Sequence, residues 1–311
     1  MRKPIIVVVG PTASGKTDLS IILAKKINGE CINADATQIF NGLDIATNKI
    51  LPAEQDNIPH HLLSTIDLNA DYSISDFQRE GRKIINDIWS RNKIPIVVGG
   101  SGLYINALLK DYHFDSHQRD PHFAQQYQEY SNLGLWQLLQ RIDPIEAERT
   151  HFNNRKRVLR ALQYFQENKT LKSANDDAQN RWYYEPYIIG LNPDKTELHQ
   201  RIATRVDKLT ARGLFAEVAA AYEYCHFDET KQSMKIIGCK EIIAYLKGQI
   251  TYHQAIAQMV HANKIYAKKQ LTWFRNQLPT TNWYDFYYQD FLTITEQIIN
   301  DLLASNYLTS I

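Results

Sequence analysis

The chain has 311 residues, enough for a full core and two domains, and a hydrophobic share of 44% that suits a soluble globular protein. A formal net charge of only +1 gives no global pull on polyanions, so any nucleic-acid affinity has to come from local patches. No apolar run approaches the roughly 20 residues of a membrane helix. Cys31, Cys225 and Cys239 form no C-x-x-C pair, which argues against a disulfide framework or a cysteine zinc site and for a reducing cytoplasm.

Met1-Arg2-Lys3-Pro4 leads directly into Ile5 to Val9, which reads as a buried strand, so no secretory signal is expected. Gly10-Pro11-Thr12-Ala13-Ser14-Gly15-Lys16-Thr17 then matches G-x-x-x-x-G-K-[ST], the phosphate-binding loop. Leu19, Ile22, Leu23 and Ile27 recur at helical spacing, and Gly29 follows as a stop signal. Strand, glycine loop and helix together aim backbone N–H groups and a positive helix end at one point. Lys16 adds a mobile cation there, and Thr17 can offer its hydroxyl to a phosphate-bound Mg²⁺. A chance glycine turn is the bland alternative, and the flanking strand and helix weigh against it. The motif leaves open which phosphate is held.

Glu30 to Phe40 opens as a second strand ending near Asp35. Ligands of open α/β sheets sit outside the carboxyl ends of strands, which places Asp35 near the phosphate loop. A carboxylate repels phosphate, so Asp35 is better explained as a base or acceptor for an attacking group. For an isolated Asp, a cap or turn role is the commoner explanation. His60 and His61 are adjacent on a predicted strand and point to opposite faces, which disfavours a shared metal and favours packing plus one hydrogen-bonding role. Ser73-x-x-Asp76 is a capping box for a helix whose Phe77, Ile84, Ile85 and Ile88 face one side. Arg79, Arg82, Lys83 and Arg91 read as its solvated face. The strand Ile94 to Val98 closes in Gly99-Gly100-Ser101-Gly102, where an ATPase often has a metal-positioning Asp, and backbone can approach a ligand closely at such glycines.

From about Phe114 to residue 180 the sequence turns polar, aromatic-rich and helical. This divides the chain into a first core part over 1–113, a helical insertion over 114–180 and a second core part over 181–311. Asp143-Pro144 is a cap followed by proline at the first helical position. Beyond it, Val158, Leu162 and Phe165 share one helical face, and Lys156, Arg157 and Arg160 project from another. A solvated basic face is the simpler reading of those three. Trp182 to Leu191 reads as a returning strand, and Leu198, Ile202, Val206 and Leu209 as the buried stripe of a helix. Arg201 and Arg205 share a face of that helix, where they would either clamp a diphosphate or meet solvent. From Ile242 to Tyr284 there is no Asp or Glu. His261, Lys264, Lys268 and Arg275 fall near one face of that stretch, with Met259, Ile265, Leu271 and Phe274 available for a core. Such an acid-free run in a nearly neutral protein points to a polyanion surface.

Taken together the residues resemble one family, the tRNA dimethylallyltransferases. The resemblance rests on Gly10 to Thr17 (GPTASGKT), Ile32 to Asp44 (INADATQIFNGLD), Pro59 to Leu62 (PHHL) and Val98 to Leu108 (VGGSGLYINAL). Further on, Arg157-x-x-Arg160-Ala161-Leu162, Arg205-Val206-Asp207, Ile237-Gly238-x-Lys240-Glu241 and Tyr266 to Arg275 (YAKKQLTWFR) extend it over nearly the whole chain. The chain departs from the family pattern at Ala36-Thr37, where Ser-Met is usual, and at Ser101, Cys239, Asn263, Lys264 and Lys269. An Arg expected after Asp120-Pro121 is missing, with Ala124 near that place, and no C-terminal zinc finger is expected.

The resemblance implies an α/β, P-loop-kinase-like parallel sheet flanked by helices, with an inserted all-helical domain that grips the anticodon stem-loop. It implies transfer of a dimethylallyl group from dimethylallyl diphosphate to N6 of the adenine at tRNA position 37, with Mg²⁺ held through Thr17. Gly10 to Thr17 would bind the diphosphate. Asp35, Thr12, Ser101 and Arg205 would act in catalysis. Asp35, Ala36, Thr37, Gln38, Ser101, Lys156, Arg157, Arg160, Lys264 and Lys268 would meet tRNA, and the enzyme would be a cytoplasmic monomer. Two rivals share the phosphate loop: a small-molecule kinase using ATP, and a nucleotide-holding switch protein that binds RNA without modifying it.

Overall fold

The computed structural model describes residues 3–112, 122–175 and 181–310. The domain boundaries expected at 113/114 and 180/181, and the Asp120-Pro121 pair, lie outside the described residues. The chain divides into two compact units, Met1–Leu109 with Tyr184–Ile311, and Lys110–Tyr183.

The larger unit is built on one parallel sheet. Its first part contributes β1 (Ile5–Val9), α1 (Lys16–Ile27), β2 (Gly29–Asn33), β3 (His60–His61), α2 (Ile74–Ser90), β4 (Ile94–Gly99) and α3 (Gly102–Leu109). The smaller unit holds α4 (Asn132–Ile142), α5 (Pro144–Arg149) and α6 (Arg155–Asn168). The larger unit then resumes with β5 (Pro186–Pro193), α7 (Lys195–Ala211), α8 (Leu214–Tyr224), α9 (Cys239–Leu246), α10 (Tyr252–Gln277), β6 (Asn282–Phe286) and α11 (Phe291–Ala304).

The strand order is β3-β2-β4-β1-β5-β6, and every neighbouring pair is parallel. β1 and β4 are buried along their whole length, as strands covered on both faces must be. That is why Ile5 to Val9 and Ile94 to Val98 are unbroken apolar runs rather than alternating ones. Ile6, Val8, Ile96 and Val98 pack with Leu19, Leu23 and Ile27 of α1, and Ile298 and Leu302 of α11 join the same cluster. Because β1, β4 and β2 lie side by side and point the same way, the loops leaving their carboxyl ends gather at one edge.

The local signals hold in detail. Ser73 Oγ accepts from the Asp76 N–H at 3.1 Å and Asp76 Oδ2 accepts from the Ser73 N–H at 3.0 Å, closing the capping box of α2. In the smaller unit Asp143 Oδ1 accepts from the Glu146 N–H and Pro144 opens α5. Phe123, Leu135, Leu139, Ala147, Val158, Ala161 and Leu162 form that unit's own core.

Four expectations shift once tertiary contacts act. Asn28, not Gly29, takes the left-handed conformation that ends α1 (φ 54°). Gly29 instead starts β2, where a Cβ would stand 2.7 Å from Ile96 Cδ1 and 2.9 Å from the Ile94 carbonyl oxygen. Ile265 is 42% exposed, and α10 buries Ala255, Met259, Ala267, Gln270 and Phe274. The returning strand starts at Pro186 rather than Trp182, where β5 first pairs with β1. Arg91 is not simply solvated. It caps α2 and reaches Glu30 of β2, with Nη2 2.8 Å from Oε2 and a second contact through Nη1.

Glu30 is 1% exposed and also accepts from Lys93 Nζ at 2.7 Å and pairs with His61 Nε2 at 2.8 Å. The Arg91 guanidinium holds its carboxyl far below the usual carboxylate range, against the opposing effect of burial, and Lys93 and His61 add to the depression. A carboxyl depressed by folding contributes stability that is present above its unfolded value, near 4.3, and is lost as pH falls toward the folded one. Glu30→Ala removes the carboxylate that Arg91, Lys93 and His61 share, leaving Arg91 only its contact with Asp87. Denaturant unfolding should show a loss of about 2 kcal/mol at pH 7, below the range for fully buried pairs because Arg91 and Lys93 stay partly solvated. The gap between variant and wild type should narrow below about pH 4.

Candidate active site

The loops after β1, β2 and β4 enclose, with α7 and α10, a cleft of about 830 Å³ in the larger unit. Its floor is the phosphate loop. Gly15 (φ 88°) and Ala13 (φ 66°) are left-handed, which turns the chain sharply into α1. No side chain caps α1, so the orphan N–H groups of its first turn are open to an anion. Ser14 Oγ is buried there with no hydrogen-bond partner, and Thr17 lines the cleft with an exposed side chain. Lys16 Nζ donates to the Pro11 carbonyl at 2.6 Å. Burial pulls its ammonium down to about 8; Asp35 opposes the shift and Arg205 reinforces it.

Arg205, which sequence left between a clamp and a solvent role, lies in the cleft. Its Nη1 donates to Thr12 Oγ1 at 3.0 Å. Burial lowers its pKa, again against the pull of Asp35. Val206 and Leu209 are buried beneath it, so α7 has no freedom to turn Arg205 outward. Arg201, one turn earlier, lies over the Tyr288 ring at 4.1 Å, and the Tyr288 hydroxyl donates to the Ala13 carbonyl at 2.7 Å.

Asp35 stands two residues beyond β2. Its Oδ1 accepts from the Thr37 N–H at 3.0 Å and from Thr37 Oγ1 at 2.7 Å. Asn33 frames the loop from below, accepting from the Asp35 N–H at 3.1 Å and donating to the Leu62 carbonyl at 2.9 Å. Ser101 Oγ accepts from the Ala36 N–H at 2.9 Å, and the Ser101 N–H donates to the Ala34 carbonyl at 3.1 Å. Gln38 Nε2 donates to the Thr47 carbonyl at 3.1 Å. Further along, one Glu217 carboxylate accepts from the N–H groups of Asp44, Ile45 and Ala46 at 2.7 to 2.9 Å.

The glycines after β4 serve the protein's own packing. A Cβ on Gly99 would lie 2.3 Å from the Ala34 carbonyl, one on Gly100 2.1 Å from Gln270 Nε2, and one on Gly102 2.2 Å from the Trp273 ring. Gln270, Tyr288 and Glu217 brace these loops, and sequence reasoning gave none of them a role, although Gln270 lies within the block Tyr266 to Arg275. Gln270 did leave a trace: it is a polar residue on the stripe of α10 that otherwise runs Met259, Ala267, Phe274.

The other candidates fall in two places. Lys264 is half-buried and Lys268 exposed on α10; Lys156, Arg157 and Arg160 are exposed on α6 of the smaller unit. Each unit thus has its own surface cations. His60 and His61 each make a hydrogen bond, to the Ile58 carbonyl and to Glu30 respectively. Among the described residues no group of three or more His, Cys, Asp or Glu is placed to hold a metal. The three cysteines are free and buried.

The family model for IPP transferases matches residues 38–277. A tRNA dimethylallyltransferase of Anoxybacillus flavithermus is 41% identical over 304 residues, 97% of this chain and 96% of that protein. The crystal structure of the full-length tRNA isopentenylpyrophosphate transferase of Bacillus halodurans superposes with a TM-score of 0.75 at 35% identity, covering 100% of this chain and 98% of that one. A eukaryotic dimethylallyltransferase captured acting on tRNA gives a TM-score of 0.88 at 26% identity, over 99% of this chain and 80% of that one. With a family match across residues 38–277 and a relative 41% identical over nearly the full length of both chains, this chain belongs to the IPP transferase family.

Proposed function

We propose that the cleft transfers a dimethylallyl group from dimethylallyl diphosphate to N6 of the adenine at tRNA position 37, releasing diphosphate. Relatives matched over nearly their whole length carry the name tRNA dimethylallyltransferase, which does not favour the ATP-dependent alternative. The observation that carries the reading is the meeting of two loops of opposite chemistry. An anion-binding loop whose Thr12 is held by Arg205 faces the same cleft as a carboxylate, Asp35.

Gly10 to Thr17 take the diphosphate, through the uncapped N–H groups of α1 and Lys16. Arg205 and Thr12 hold the bridging end, where charge grows as the allylic C–O bond breaks. The adenine leaves its stack to enter the cleft, at a cost of a few kcal/mol. As the N6–C bond forms, the Asp35 carboxylate accepts the N6 proton and the electron pair of the C–O bond leaves with diphosphate. Thr37 occupies Asp35 Oδ1, which leaves Oδ2 for that proton. Mg²⁺ fits this donor set, because it binds chiefly through substrate phosphates and needs few protein ligands. Thr17 would hold it, and when bound it neutralises charge on the diphosphate. Ala36, Gln38 and Ser101 would face the acceptor nucleotide, and Lys156, Arg157, Arg160, Lys264 and Lys268 the phosphates of the anticodon stem-loop. Among the described residues no helix is long and apolar enough to cross a membrane. A cytoplasmic monomer is the working state of this proposal.

The test is incubation with labelled dimethylallyl diphosphate and unmodified tRNA, followed by digestion to nucleosides. Label should appear in N6-dimethylallyladenosine; its absence, with turnover of nucleoside triphosphate instead, overturns the proposal. Asp35→Asn should lower turnover about 10²- to 10⁴-fold with tRNA affinity nearly unchanged. Because Lys16 titrates near 8 in the free cleft and an anion favours its charged form, diphosphate binding should weaken as pH rises past 8. Calorimetry at pH 8.5 in two buffers should then show proton uptake on binding that Lys16→Met lacks. Replacing Lys156, Arg157 and Arg160 together by Ala should reduce the slope of log K for tRNA against log salt by about 2 to 3.

A further inference from the structure

We infer that Gln270 is a positioning residue that holds the donor loop and the base loop in register, an inference that rests on the reaction proposed above. Gln270 is 4% exposed, on the core-facing stripe of α10 between Ala267 and Phe274. A leucine would fill that space without the cost of burying an amide. Its two ends reach in different directions. Oε1 accepts from the Thr12 N–H at 2.8 Å, and Nε2 donates to the Gly100 carbonyl at 3.0 Å. The partners fix the orientation of the amide, because an N–H can only donate and a carbonyl can only accept.

Both contacts sit one step from the chemistry. On the donor side, the Thr12 N–H is occupied by Gln270 rather than left for phosphate. The residue is held by its backbone through Gln270 and by its hydroxyl through Arg205. On the acceptor side, Gly100 precedes Ser101, whose Oγ and N–H bind the two residues that flank Asp35. One carboxamide therefore spans from the atom beside the breaking bond to the clamp around the base. A Cβ at position 100 would lie 2.1 Å from Nε2, so a side chain there would push the amide out of this position. Gln270 meets the phosphate loop only at the Thr12 N–H, and the open N–H groups of α1, Lys16 and the surface cations for tRNA have other supports. Its loss should misalign nucleophile, electrophile and base while leaving both substrates bound.

The experiment compares steady-state kinetics of the wild type, Gln270→Met and Gln270→Glu in the full-length enzyme with both substrates. Gln270→Met keeps the volume and removes both hydrogen bonds. It should lower kcat about 100-fold, with KM for dimethylallyl diphosphate and for tRNA within about threefold. In Gln270→Glu the carboxylate still accepts from Thr12 but opposes the Gly100 carbonyl. The Tyr266 hydroxyl meets this side chain, and Asp35, Lys16 and Arg205 line the same cleft. Protonation restores a donor, so the variant's activity relative to wild type at the same pH should recover as pH is lowered from 8 to 6. A kcat for Gln270→Met close to wild type, or a loss confined to KM, overturns the inference. A pH-independent ratio for Gln270→Glu does the same, and decides the matter if Gln270→Met does not fold. Failure of the reaction reading would show differently, as a wild type that prenylates no adenosine.

Discussion

The loops leaving β2 and β4 touch at backbone distance, and the site depends on that contact. The Ala34 N–H donates to the Val98 carbonyl at 2.8 Å, and the Gly99 α-carbon lies so close to the Ala34 carbonyl that a methyl group would overlap it at 2.3 Å. Parallel pairing of β2 with β4 and of β4 with β1 brings three strand ends to one edge, but pairing alone would leave side chains between them. Glycine at 99, 100 and 102 removes those side chains, and Ala34, Gln270 and Trp273 move into the space. Asp35 thereby hangs over the same cleft as the phosphate loop rather than standing off behind a wall of β4 residues.

Electrostatics give the cleft its appetite for an anion. Burial lowers both Lys16 and Arg205, the Arg205 charge lowers Lys16 further, and Asp35 is the acid that counters them. Two cations against one carboxylate leave a positive balance in a place with little water to screen it. A diphosphate restores that balance; a neutral ligand would not. Burial of Glu30 shows the opposite solution in the same sheet, where a carboxylate is enclosed by Arg91, Lys93 and His61 and asks for nothing further.

What could be read from sequence follows the range of each interaction. The phosphate loop, the capping box at Ser73, the Asp143-Pro144 start and the apolar runs of β1 and β4 are local, and each is legible within a turn or a strand. Asp35 was legible because topology fixes where strands end. Gly29, Arg91 and Ile265 were misjudged because their settings are made by distant partners: the Ile96 side chain, the Glu30 carboxylate and the way α10 packs. Arg205 was ambiguous until α7 was seated by Val206 and Leu209. The glycines after β4 were seen as an opening for a ligand, since nothing in their spacing names Ala34, Gln270 or Trp273 as neighbours. Gln270 and Glu217 lie 258 residues from Thr12 and 173 from Asp44 respectively, and no periodicity links such positions.

Those long spans bear on how the polypeptide matures. Glu217 alone satisfies three consecutive amides in the segment just after the base loop, and Gln270 ties down the phosphate loop itself. While the chain is being made, the first hundred residues can pair β1, β2 and β4, yet their functional loops lack the groups that fix them. A nascent amino-terminal fragment would thus own the phosphate loop and Asp35 and still lack the groups that hold them in place. The grip on Thr12 can close only after α10 has been synthesised and has packed into the larger unit.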